Sequence, residues 1–186
     1  LYVTEDYGKN WKLITSGIDD EHFTRVLRSD KSNKNILYAG TETGMYISYD
    51  KGTSWNEFQK NLPIVPITDL TIKDNSLIVA TQGRSIWMLD DLTVIHQLSS
   101  SIDEEKLYKP KDSYRMRGAG GRKSLTAGTN LPNGVIIHYF LPNYNDESDE
   151  VNLSIHSSDG ELIKEFSNKG KENSIKVKKG GNSFVW

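Results

Sequence analysis

The chain carries one eight-residue pattern twice, Ser/Thr-x-Asp-x-Gly-x-x-Trp, first as Thr4, Asp6, Gly8 and Trp11 and then as Ser48, Asp50, Gly52 and Trp55. The 44 residues from Asp6 to Asp50 fall within the roughly 40–50 residues of one four-stranded propeller blade. Such a repeat constrains the fold more than any single residue, because it says that one supersecondary unit is used again. A decayed third copy follows, since residues 37–50 align without a gap on residues 77–90. That alignment sets Asp90 opposite Asp50, with the Gly and Trp of the pattern lost, as befits a terminal repeat.

Turn residues cut each repeat into strands. In the second repeat, strands are expected over 23–27, 35–39, 45–49 and 55–59, separated by Asp30-Lys-Ser-Asn, Thr41-Glu-Thr-Gly and Asp50-Lys-Gly, all turn compositions. The third repeat gives 67–72, 77–81 and 85–89, with 93–98 as a fourth strand; the first contributes 1–4 and 11–14. That makes about two and a half blades, where a closed propeller takes roughly four to eight. Further blades are therefore expected upstream of Leu1, which falls inside a repeat, and the chain reads as a piece of a longer protein.

After residue 98 the repeat stops. Residues 99–130 read as a linker, with 107–114 an extended connector and Arg117-Gly-Ala-Gly-Gly-Arg-Lys-Ser opening a Gly-rich loop. Gly118, Gly120 and Gly121 could cradle a phosphate, but they lack the strand-to-helix setting and spacing of such a loop, and the linker reading is preferred. From 131 to 186, short strands are expected at 135–141, 151–156, 162–167, 174–177 and 183–186, with Asp159-Gly160 as a hairpin turn. The fold class expected is all-β: a partial β-propeller over 1–98, then an immunoglobulin- or fibronectin-like β-sandwich over 131–186.

Composition closes off several classes. Lys plus Arg number 23 against 25 Asp plus Glu, so no field gathers nucleic acid or anionic lipid. The absence of cysteine rules out disulfides and thiolate metal sites, and no apolar run approaches the roughly 18 residues of a membrane span. His22, His96, His138 and His156 are too scattered to pair on a metal, and the acid-rich stretch 143–150 lacks regular ligand spacing, so no metal and no cofactor is expected. Asn152-Leu-Ser is a glycosylation sequon that would matter only in a eukaryotic secretory host.

The pattern itself is fold chemistry. The Asp carboxylate can accept N–H groups of the turn that follows, the Ser/Thr hydroxyl closes the same ring, Gly permits positive φ, and Trp offers a large apolar face to a neighbouring sheet. A structural role for Asp6 and Asp50 outweighs a catalytic one, because the residue recurs in each blade whereas a catalytic centre needs one. Trp11 and Trp55 are expected to be equivalent wedges.

These residues resemble the Asp-box, or bacterial neuraminidase repeat, shared by sialidases, xyloglucanase-type glycoside hydrolases and sortilin-like propellers. Leu62-Pro-Ile-Val-Pro-Ile-Thr-Asp-Leu and the stretch 77–92 are more closely similar to the last blades of bacterial sortilin-like proteins. In that group the loop usually reads Thr-His-Gly-Arg-Gly, whereas here Gln82 and Ser85 stand at the His and second Gly. Asn130-Leu-Pro-Asn-Gly and Gly181-Asn-Ser-Phe-Val-Trp resemble the sandwich that follows such propellers. The lack of the cysteine-rich module of animal sortilins implies a bacterial relative, secreted, periplasmic or at the cell surface.

Ligands of sialidase-like propellers bind on the face opposite the boxes. Here that rim offers Asp19, Asp20, Glu21 and His22, then Glu42 and Thr43, then Gln82, Gly83 and Arg84. Arg84 could hold a carboxylate or sulfate, its plainer reading being a loop-to-loop salt bridge. The leading expectation is a binding or scaffold module for a glycan, peptide or protein. The alternative is the C-terminal part of a glycoside hydrolase whose catalytic residues lie mostly upstream, with Asp20 and Glu42 as the local candidates for the carboxylate pair. Trp87 could line a sugar groove, but strand packing is its simpler role.

Overall fold

The structure, a computed structural model, describes residues 1–98, 103–114 and 132–186. The Gly-rich loop at 117–124 and the start of the tail resemblance, at Asn130, lie outside the described residues. The chain divides into two compact units, Leu1–Ile102 and Asp103–Trp186.

Unit one is a stack of antiparallel sheets. β1 (Tyr2–Val3) pairs with β2 (Lys12–Leu13) as the outer half of a blade. A complete four-stranded sheet follows, in the order β3 (Thr24–Ser29), β4 (Leu37–Thr41), β5 (Met45–Ser48) and β6 (Asn56–Glu57). The third sheet has three strands, β7 (Ile67–Lys73), β8 (Ser76–Thr81) and β9 (Ile86–Leu89). Successive sheets bury a core between them. Ile18, Ala39, Tyr46 and Trp55, with Leu1, Leu27 and Leu37 against them, fill the first gap. Tyr38, Met45, Ile47, Ile67, Leu70 and Val79 are central to the larger second cluster. This is a partial propeller, and the strand alternation puts one face of each blade into each gap.

Both inner strands carry a bulge at the same place, between Thr24 and Val26 and between Ile67 and Asp69, so the blades repeat even their irregularity. The third strands differ. Ala39 pairs with Tyr46, but Val79 pairs with Trp87, which shifts the third repeat by one residue relative to the gap-free alignment. The extra residue sits in the loop: Thr41 N donates to Gly44 O, whereas Thr81 N reaches Ser85 O. On the far side, Lys51 N donates to Asn35 O as Leu92 N does to Asn75 O. Asp91, not Asp90, therefore occupies the place of Asp50.

The fourth strand expected at 93–98 is instead a short helix, α1 (Thr93–Gln97). Asp91 Oδ1 accepts Thr93 N and Asn75 Nδ2, each at 2.9 Å, which turns the chain inward. Leu92 and Ile95 then drop into the second core, a three-residue spacing that suits a helix and not a strand. His96 Nε2 lies 2.9 Å from Asp30 Oδ2. Asp30 is fully buried and also accepts the Ser32 and Asn33 amides and the Tyr38 hydroxyl.

Unit two is a small β-sandwich. β11 (Ile136–Leu141) is flanked by β10 (Lys106–Leu107) and β14 (Gly180–Val185). β12 (Asn152–His156) and β13 (Leu162–Ser167) form a separate hairpin, and the Phe166 and Phe184 rings, 4.6 Å apart, join the two layers. Part of the extended connector expected at 107–114 is thus an edge strand. The strand expected at 174–177 is reduced to one bridge between Ser174 and Ser167. Beyond it, the Asn182 side chain takes up the Lys178 amide and the Lys178 and Gly180 carbonyls, in place of a strand ladder.

Candidate functional site

The two boxes fold alike. Thr4 Oγ1 donates to Asp6 Oδ1 at 2.9 Å and accepts Gly8 N at 2.8 Å; Ser48 Oγ donates to Asp50 Oδ1 and accepts Gly52 N, both at 2.8 Å. Asp6 receives Asn10 N and Nδ2, and Asp50 receives Ser54 N and Oγ. Tyr7 and Lys51 both take φ 59°, followed by Gly8 at 87° and Gly52 at 89°. The Asn10 amide and side chain hold the Asp6 carboxyl below its usual range. Burial works to raise Asp50, but the Ser54 and Ser48 hydrogen bonds outweigh it and leave Asp50 lowered as well. Both carboxylates are thus committed to hydrogen bonds within their own turns.

The tryptophans part company. Trp55 is 4% exposed, its Nε1 donates to Ile14 O at 2.9 Å and its amide to Ser16 O at 2.8 Å, wedging the second sheet against the first. Gly17 makes that approach possible, since a Cβ there would overlap the Trp55 carbonyl. Trp11 is 62% exposed and its Nε1 turns back to Gly8 O. The expectation of equivalent wedges is thus corrected: Trp55 is buried in the core between the first two sheets, whereas the Trp11 ring is exposed.

The rim residues gather at the other end of the blades. In the second blade, residues 19–22 lead into β3 and residues 42–44 join β4 to β5. Asp19 organises the approach, accepting Glu21 N on its carboxylate and His22 N on its carbonyl, both at 2.9 Å. Asp19, Asp20 and Glu21 are exposed. His22 Nδ1 lies 2.8 Å from the Tyr46 hydroxyl, and burial pushes the Tyr46 phenol up, so it keeps its proton. Glu42 is bound by the Arg25 guanidinium, and Thr43 is tied through its amide to Thr41 Oγ1 at 3.2 Å.

In the third blade, Gln82 N donates to Pro66 O at 2.9 Å, fixing the 82–85 loop to the entry of β7. Gly83 and Ser85 take φ 83° and 64°, so Ser85, at the second Gly of the family loop, adopts the left-handed conformation a glycine would favour. Trp87 Nε1 donates to Arg84 O at 2.8 Å and clamps the loop tip. The Arg84 side chain is exposed, and among the described residues it makes no ion pair. The loop-to-loop salt bridge expected for it is not among the ion pairs of the described residues; the pair that spans two blades joins strands, Arg28 of β3 reaching Asp69 of β7 at 2.6 Å. Sequence reading passed over Arg25 and Arg28, whose cross-strand partners become visible only once the sheets are paired.

The rim therefore offers one uncommitted guanidinium and exposed acids, while Glu42, half of the candidate carboxylate pair, is held in a salt bridge. Among the described residues no group of three or more His, Asp or Glu could hold a metal. In the acid-rich stretch, Asp149 accepts Asn145 N and Ser148 Oγ, which hold it below the usual range.

A family model, Sortilin-Vps10, described as "Sortilin, neurotensin receptor 3", matches residues 1–116. Among curated proteins, the chain is similar to "Vacuolar protein sorting/targeting protein 10" of Leptosphaeria maculans, 22% identical over 157 residues. The alignment covers 83% of this chain and 10% of that protein, so the chain spans about a tenth of its relative's length. No solved structure gives a significant match. With the family match extending over more than half of its length, on a stack of repeated blades, the chain belongs to the Sortilin-Vps10 family.

Proposed function

We propose that this chain is part of a sorting-receptor-like binding protein whose terminal blades, residues 1–98, present rim loops to a peptide or protein ligand. On this reading the boxes are Asp-boxes, residues 99–130 link the blades to a sandwich over 131–186, and further blades complete the ring. The module works on the luminal or extracellular side. No helix among the described residues is long and apolar enough to cross a membrane. The resemblance of residues 62–70 and 77–92 to bacterial sortilin-like proteins is what favours a bacterial source, while the relative matched is a protein of Leptosphaeria maculans.

One observation carries the reading: Arg84 projects an exposed guanidinium, with no ion pair among the described residues, from a loop fastened by Trp87 and Pro66. A preorganised arginine suits a carboxylate, which it can receive on two parallel N–H groups. Asp19, Asp20 and Glu21 in the neighbouring blade, with half-buried His22, Glu42 and Thr43, would read the rest of the ligand. The hydrolase alternative and a polysaccharide ligand gain nothing from the salt-bridged Glu42.

Fluorescence anisotropy with free-acid peptides and their amidated copies tests this. Tight binders are expected to lose tenfold or more on amidation or on Arg84→Ala, in line with about 1.5–3 kcal/mol for a hydrogen bond to a charged group. Binding indifferent to both changes overturns the rim.

A further inference from the structure

The sandwich requires a glycine at position 134. Gly134 takes φ 123°, and a Cβ built there would lie 2.3 Å from the Trp186 carbonyl oxygen, so both the positive φ and the close strand exclude a side chain. It stands directly before the rung that closes β11 on β14. There Val135 N donates to Trp186 O at 2.8 Å, and Trp186 N donates back to Val135 O at 3.0 Å. The residue ahead of it is Asn133, and Asn133-Gly134 is the one Asn-Gly pair in the sequence.

An asparagine can react with the backbone nitrogen that follows it, because closure onto the side-chain carbonyl makes a five-membered ring, and glycine has no Cβ to obstruct the approach. Reaction needs both groups free. Asn133 and Gly134 are exposed, and among the described residues neither the Asn133 side chain nor the Gly134 amide is held by a hydrogen bond. The comparable places are held. Asn75, before Ser76, commits its side chain to Asp91 and Thr93, both at 2.9 Å, and Asn182, before Ser183, commits its own to Lys178 and Gly180. In Asp159-Gly160 the attacking amide is taken, since Gly160 N donates to Ser157 O at 3.1 Å. Asn173 is exposed, but Ser174 sets a Cβ beside the nitrogen.

We propose that Asn133 is a self-modification site: the Gly134 amide converts it to aspartate and isoaspartate, and the isoaspartate form loosens the entry of β11. The Gly134 nitrogen gives up its proton and bonds to Asn133 Cγ; the Cγ–Nδ2 bond breaks, and ammonia leaves with a proton. The resulting succinimide takes up one water. Attack of that water at Cγ restores the main chain as aspartate, whereas attack at the Asn133 backbone carbonyl carbon leaves isoaspartate, with the main chain running through Cβ and Cγ. Nothing is oxidised or reduced. Both products carry a new carboxylate, but only isoaspartate lengthens the backbone. The added methylene falls just ahead of Gly134, where the chain already lies against Trp186, and β11 is the middle strand of its sheet.

The test is to age the folded full chain in mildly alkaline buffer, map it by mass spectrometry, and count isoaspartate with an isoaspartyl methyltransferase. A capped Leu-Pro-Asn-Gly-Val peptide, aged in parallel, sets the unhindered rate. Asn133 is expected to convert first, within about tenfold of the peptide rate, with Asn173 later and Asn75 and Asn182 intact. The isoaspartate form should melt unit two roughly 4–8 °C lower, the shift that suits loss of about one hydrogen bond in a domain of this size. Fresh Asn133→Asp, which brings the charge without the methylene, should melt with the parent, and Asn133→Gln should keep its midpoint on ageing. An Asn133 that stays intact while the peptide converts overturns the proposal, as does prior conversion of Asn75 or Asn182, which would place the reaction in the unfolded chain. An isoaspartate form that melts with the parent, or Asn133→Asp melting as low as isoaspartate, overturns it as well.

Discussion

Two tryptophans at the same place in one pattern have different energies because only one is buried. Trp55→Ala removes a buried indole and its bond to Ile14 O, and is expected to cost roughly 3–5 kcal/mol. Trp11→Ala, at an exposed ring, should cost less than about 1 kcal/mol in this chain. Urea unfolding of both variants checks the contrast. Asp30 is the other residue whose surroundings decide its behaviour. Burial works to raise its pKa, but the Asn33 and Ser32 amides and His96 outweigh it and hold the carboxyl below its usual range. A lowered folded pKa stabilises above the unfolded value of about 3.9, and that stability is lost as pH falls through the folded value. Asp30→Asn should therefore be roughly 1–3 kcal/mol less stable near neutrality, with a shallower further loss below about pH 4. Denaturant midpoints between pH 6 and 2 would show it, and parallel curves for the two proteins would refute it.

At the scale of elements, the repeat was legible and its last register was not. Thr4, Asp6 and Gly8 with Ser48, Asp50 and Gly52 announce two turns of one kind, because those hydrogen bonds are local, reaching two or four residues along the chain. The shift to Asp91 comes from one extra residue between Thr81 and Ser85, which a composition that still aligns without a gap conceals. Asp91→Ala, which loses bonds to Thr93 N and Asn75 Nδ2, should destabilise by about 1 kcal/mol. Asp90→Ala should stay within about 0.5 kcal/mol. Thermal unfolding of the pair separates the two registers. The helix at 93–97 was hidden for a related reason: five residues are too few to show a period, and only the core at Leu92 and Ile95 selects it.

At the largest scale, the chain divides into two compact units. The Phe166–Phe184 contact holds the sandwich layers together. Phe184→Ala is expected to lower the stability of unit two by roughly 1–3 kcal/mol while leaving the near-ultraviolet signal of buried Trp55 in unit one unchanged. Loss of that signal at the same temperature as the sandwich would mean the units unfold as one. The sequence by itself determined the repeating β architecture and the turns of the repeated pattern, because these rest on contacts within a few residues or on a fixed period. Only the tertiary structure decided that Glu42 is salt-bridged, that Arg84 makes no ion pair among the described residues, and that Asp91 replaces Asp90. Each of these depends on which strands lie side by side, and pairing across 40 residues leaves no mark in local composition.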